Sequence, residues 1–99
     1  MSKQNYVLEL AVFTVKKEFV KKMPEIRAGL RAALKDFAGL LELETYYPIG
    51  DGRIFADVAK WDTLENAVAA AKAFENGDAR FLPYAETIEK LEFMGHFMP

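Results

Sequence analysis

Residues 6–15 read "YVLELAVFTV". Valine, leucine and phenylalanine dominate the run, and the only charge in it is Glu9. Such residues favour a strand. Apolar positions fall on both faces, which fits a central strand covered on both sides. The rest of the chain must therefore supply strands to flank it and layers to cover it. The run is too short to cross a bilayer as a helix. No small-residue cleavage site follows a long apolar stretch, so no leader peptide is read and the expected compartment is the cytoplasm.

Working outward, "KKEFVKKMPEIRAGLRAALKDFAG" (16–39) carries Phe19, Met23, Ile26, Leu30, Ala33, Leu34 and Phe37 at helical spacing. Lys21, Lys22, Arg27, Arg31 and Lys35 fall mostly off that stripe and read as a solvated face. Pro24 either kinks this helix or marks where its main part begins, and Gly39 is a stop signal. "LLELETYY" (40–47) reads as a second strand, with Leu41, Leu43, Thr45 and Tyr47 on one face. "PIGDG" turns the chain, and "RIFADVAKW" (53–61) returns as the third strand of a hairpin.

"DTLENAVAAAKAFENG" (62–77) is a second helix. Asp62 or Thr63 caps it, Glu65 completes a capping box with Asp62, and Leu64, Ala67, Val68, Ala71 and Phe74 form its apolar face. "DARFLPYAETIE" (78–89) reads as a loop with a helical turn that carries Phe81, Leu82 and Tyr84 inward. A last strand covers roughly 90–98. The order β-α-β-β-α-β predicts an α+β, ferredoxin-like domain over residues 1–99. Its antiparallel sheet has strand order 4-1-3-2, with both helices on one face.

Two helices cover only one face of that sheet. The other does not read as polar: strand 3 carries Ile54, Ala56 and Val58 on one face and Phe55, Ala59 and Trp61 on the other, and strand 4 Phe93 and Phe97 on one and Met94 and Met98 on the other. Left in water that second face would exceed the few hundred Å² usual for a monomer. With a hydrophobic content of 52%, the expectation is a homodimer whose sheets pack face to face.

The chain has 99 residues, a net charge of −2, no cysteine and one histidine. No basic stripe suggests nucleic acid. Disulfide and thiolate chemistry are excluded, and no ligand spacing for a metal is present. The candidate catalytic groups are His96 with Glu9 and Asp57. A histidine needs an orienting partner to act as a base; strand 4 running antiparallel to strand 1 would bring His96 near residues 6–9, and Glu9 is a candidate partner if both lie on the helix face. Carboxylates set in apolar strands are expected to have raised pKa values. The alternatives are an inert, hydrogen-bonded His96 at the dimer interface or strand end, and for either carboxylate an ion pair with Arg53 or across the dimer, or a water site facing the pocket. Trp61, Tyr46 or Tyr47, Phe81 and Tyr84 are candidate ligand contacts, although Trp61 reads equally as core.

The stretches "VLELAVFTVKKEF" (7–19), "VAKWDTLENAVAA" (58–70) and "LEFMGHF" (91–97) resemble the antibiotic-biosynthesis-monooxygenase-like family of dimeric α/β barrels. The resemblance covers essentially the whole chain, through loose motifs. It implies a homodimer with a cleft between sheet and helices in each subunit. Some members oxidise aromatic or quinol-type molecules with O₂ and neither metal nor flavin; others degrade haem. The haem-degrading pattern pairs a first-strand Asn with the Trp and a His near the second helix. Here Leu10 and Ala11 stand in strand 1, helix 2 has no histidine, and only Trp61 remains. The expectation is a cofactor-free monooxygenase of an aromatic or quinol-like molecule. The alternatives are a non-catalytic binding or stress-related dimer and a purely structural dimerisation module.

Overall fold

A computed structural model describes residues 5–99. Its strands are β1 (Val7–Val15), β2 (Leu40–Tyr46), β3 (Ile54–Trp61) and β4 (Ile88–Phe97). Its helices are α1 (Met23–Leu34), α2 (Leu64–Glu75) and the single turn α3 (Leu82–Ala85). They form a ferredoxin-like sheet of order β2-β3-β1-β4, antiparallel throughout. No helix among the described residues is long and apolar enough to cross a membrane.

β1 lies at the centre because both its faces are apolar. Val7, Phe13 and Val15 point to the helices and are buried. Their neighbours in the core are Phe55 and Trp61 of β3, Met23 and Leu30 of α1, and Phe81. Phe13 contacts both Phe55 and Tyr84 through its ring. Leu8, Leu10 and Val12 point to the opposite face and are only half-buried.

Pro24 begins a helix here. A 3-10 segment spans Lys17–Lys22, and α1 starts at Met23 with the proline in its first turn. There its missing N–H has no intrahelical partner to lose. Thr63, rather than Asp62, caps α2, its side chain accepting from the Asn66 backbone N–H at 3.1 Å. Gly39 lies between α1 and β2 with φ 90°, and a Cβ there would sit 2.2 Å from Asp62 Oδ1. Gly39→Ala is therefore expected to cost more than about 1 kcal/mol by urea unfolding. A loss below 0.5 kcal/mol, on the order of a neutral surface change, would mean the loop simply moves aside.

Four expectations need correction. Arg27 is not on a solvated face; it is buried under the sheet. Leu41 is exposed, because a register shift between Leu40 and Glu42 breaks the alternation of β2. Leu64 is exposed at the start of α2, and Ala70 is buried in its stead. Leu82 is exposed, while Phe81 and Tyr84 do turn inward.

Candidate functional site

A cavity of about 180 Å³ lies between the sheet and the three helices. Its origin is a shortage of side-chain volume. Ala11 of β1, Ala59 of β3, and Ala70 and Ala71 of α2 all line it. Around them stand Phe13, Phe74 and Phe81. An engineered cavity of about 150 Å³ accepts benzene, so a one- or two-ring molecule is the right scale.

Two carboxylates enter this apolar space from adjacent strands. Glu9 stands opposite Ala59 on one side and opposite His96 on the other. It shares the helix-facing side of the sheet with both, and Trp61 follows Ala59 on that side. The geometry then closes. Trp61 Nε1 donates to Glu9 Oε1 at 2.9 Å, and His96 Nε2 lies 3.3 Å from Glu9 Oε2. That contact has ion-pair distance, but the ring nitrogen lacks the alignment of a hydrogen bond. Burial pushes the Glu9 carboxyl above its ordinary value, and Trp61 and His96 partly oppose this.

Asp57 is the second carboxylate. Tyr84 donates its phenolic proton to Asp57 Oδ2, and Arg27 Nη2 lies 2.7 Å from Oδ1. Burial again raises the carboxyl, against the pull of Tyr84 and then Arg27. The Tyr84 phenol is driven well above its usual range by burial and by the neighbouring Asp57 charge. Arg27 also donates to the Ala56 carbonyl at 3.0 Å and lies over the rings of Tyr47 and Phe55, 4.8 and 5.0 Å from their centroids. Those π faces take the place of acceptors for its remaining N–H groups.

The two carboxylates thus differ in kind. Asp57 is tied to a guanidinium and a phenol. Glu9 is held by an indole and an imidazole, neither of them a fixed cation, so Glu9 is the better placed to gain and lose a proton.

The other candidates divide. Phe81 and Tyr84 line the cavity. Tyr46 is half-exposed on the opposite face of the sheet, since its register partner is Ala56, and it does not reach the cavity. Trp61 is fully buried and lies outside the cavity wall, touching the site through Glu9. Arg53 pairs with Glu89, not with Asp57. Two residues escaped the sequence reading: Arg27, and Glu75 on the cavity wall. Arg27 had a signal. Met23, Arg27, Leu30 and Leu34 are spaced by four, three and four, so the arginine stands in the apolar stripe itself.

No protein-family model matches the sequence, and no curated protein sequence does either. Solved structures do resemble it. A candidate antibiotic biosynthesis monooxygenase from Bordetella bronchiseptica superposes with a TM-score of 0.71 at 16% identity, over 95% of this chain and 96% of that one. SnoaB, a cofactor-independent oxygenase from Streptomyces nogalater, gives 0.63 at 16% identity, over 96% and 91%. A dimeric ferredoxin-like protein of unknown function from Thermobifida fusca gives 0.71 at 14% identity, over 100% and 95%. The chain therefore has the fold of antibiotic-biosynthesis-monooxygenase-like proteins.

Proposed function

We propose that the protein is a cofactor-independent monooxygenase of phenol- or quinol-type aromatics, with Glu9 as its base. The observation that carries this reading is Glu9 itself: a carboxyl of raised pKa inside an apolar cavity, oriented by Trp61 and adjoined by His96. The fold it shares with a cofactor-independent oxygenase supports the same reading. The reading takes residues 1–99 as one cytoplasmic domain.

In this chemistry Glu9 removes a proton from the bound ring system, and His96 offers the proton a second site. The electron-rich anion gives electrons to O₂ and forms a C–O bond, as a hydroperoxide. Loss of water then leaves a carbonyl. The balance for a phenol is one O₂ consumed, one quinone formed and one water released. The apolar wall keeps the anion from bulk water.

Oxygen uptake with naphthol and hydroquinone, corrected for autoxidation, tests this. Glu9→Gln is expected to lower the rate at least about a hundredfold. The rate of the parent should fall as pH drops through the raised Glu9 pKa, above the ordinary glutamate range. Saturable binding with no oxygen uptake would sink the enzyme reading and leave a binding protein.

We further propose a homodimer through the helix-free sheet face. Ile54, Phe93 and Phe97 are exposed on it, beside half-buried Leu8, Leu10, Val12 and Val58. Phe93 and Phe97 stack at 6.1 Å across Gly95, which leaves them room by lacking a side chain. This is an aromatic surface built without a cover.

A further inference from the structure

We propose that the cavity selects its ligand by charge and donor chemistry: it takes a compact, neutral or cationic hydrogen-bond donor of one or two rings and rejects carboxylates and phosphates. This rests on the cavity being the ligand site, as the proposed function requires, but not on turnover.

The charged residues of the wall are Glu9, Asp57 and Glu75, all acidic. Among the described residues no lysine, arginine or histidine is part of it. Glu9 and Asp57 share the floor. Asp57 stands opposite Ala11, two residues along β1 from Glu9, which is a diagonal pair about 7–8 Å apart at the backbone. Glu75 is exposed in the last turn of α2, at the rim.

The donors near the floor serve its carboxylates or lie behind the wall: Arg27 Nε and Nη1 and His96 Nε2 have no hydrogen-bond acceptor, and neither residue lines the cavity. The Trp61 N–H goes to Glu9, and the Tyr84 hydroxyl goes to Asp57. Arg27 is turned to Asp57, to the Ala56 carbonyl and to aromatic rings. A carboxylate or phosphate entering here would meet acidic side chains, and the one side-chain donor on the described wall, the Tyr84 hydroxyl, is committed to Asp57. A hydroxyl or ammonium would find carboxylate oxygens with lone pairs to spare. The volume of about 180 Å³ matches a ligand of one or two rings.

A matched series tests this by calorimetry at pH 7: tyramine, 4-ethylphenol and 3-(4-hydroxyphenyl)propionate. They share one phenol and differ in the charge of the tail. Tyramine and 4-ethylphenol are expected to bind at least about tenfold more tightly than the propionate. Glu75→Lys should narrow the gap between tyramine and the propionate at least about threefold. Ala70→Phe, which fills the cavity, should abolish binding of all three while the thermal unfolding transition persists. Equal or tighter binding of the propionate overturns the inference, and so does saturable binding of none of the three. Turnover is read separately. An enzyme that prefers the propionate would refute the charge rule and keep the oxygenase. Charge-ordered binding without oxygen uptake would do the reverse.

Discussion

Arg27→Met should lower the stability of the fold by about 3–5 kcal/mol, because it strands Asp57 in the core without its cation. Arg27 is only 2% exposed and Asp57 only 7%, so water cannot take the cation's place. At roughly 4–8 °C per kcal/mol for a domain of this size, Tm should fall by at least about 12 °C. Calorimetry at fixed protein concentration reads the change, and Trp61, the sole tryptophan, reports the same transition. The pH dependence has a definite sign. The orphaned carboxyl has a folded pKa raised still further, so the variant is most stable with Asp57 protonated. It should regain stability as pH falls toward the unfolded carboxylate value and lose it as pH rises through the folded one. The triple change Arg27→Met, Asp57→Leu, Tyr84→Phe removes the charge, its partner and the phenol that donates to it. It should recover most of the loss. If the triple variant is as weak as the single one, the loss comes from packing of the arginine stem on Tyr47 and Phe55. A Tm within 3 °C of the parent, less than about 1 kcal/mol, would mean the pair is not needed at all.

The fold was legible because its signals are periodic. β1 has no polar face, α2 has a cap and an alanine-rich stripe, and the 40–61 hairpin has a glycine turn. Such patterns survive in one dimension. The Glu9–His96 contact was legible only in part: strand 4 beside strand 1 puts the two near each other, but the shared face follows from the register that sets His96 opposite Glu9. The assignment of Tyr46 to the cleft failed for a different reason. The alternation of β2 groups Tyr46 with Glu42 and Glu44, opposite Leu43 and Thr45, and the structure keeps that alternation from Glu42 onward, so Tyr46 faces away from the helices. Arg27 was missed because charge was weighed above position. Its place in the stripe pointed inward, but the partner that makes burial tolerable, Asp57, is 30 residues away in sequence. The cavity is the least legible feature. Four alanines from three elements create it, and each alone is an ordinary helix or strand residue.

Val12→Glu should convert the proposed dimer to a monomer across the micromolar range. Val12 lies on the helix-free face, with Ala56 and Phe93 as its register partners on either side, near the middle of the apolar surface. A two-fold interface uses the same patch twice, so one substitution places two carboxylates in it. Each loses its water with no cation set to receive it, at a cost of several kcal/mol. Among the described residues the cations on this face are Lys90, opposite Thr14 and paired with Glu92 at 3.6 Å, and Lys60, opposite Leu8 and paired with Glu42 at 3.8 Å. A dissociation constant raised at least about a thousandfold, roughly 4 kcal/mol, is the expected result. Sedimentation velocity over a wide concentration range measures it. The subunit itself should stay folded, because Val12 points away from Phe13, Phe55 and Trp61. Unchanged Trp61 emission and far-ultraviolet dichroism check that point. A parent protein that is already monomeric at micromolar concentration removes the dimer outright. A variant that remains dimeric places the contact elsewhere, and then the aromatic pair at Phe93 and Phe97 must face something other than a second copy of this sheet.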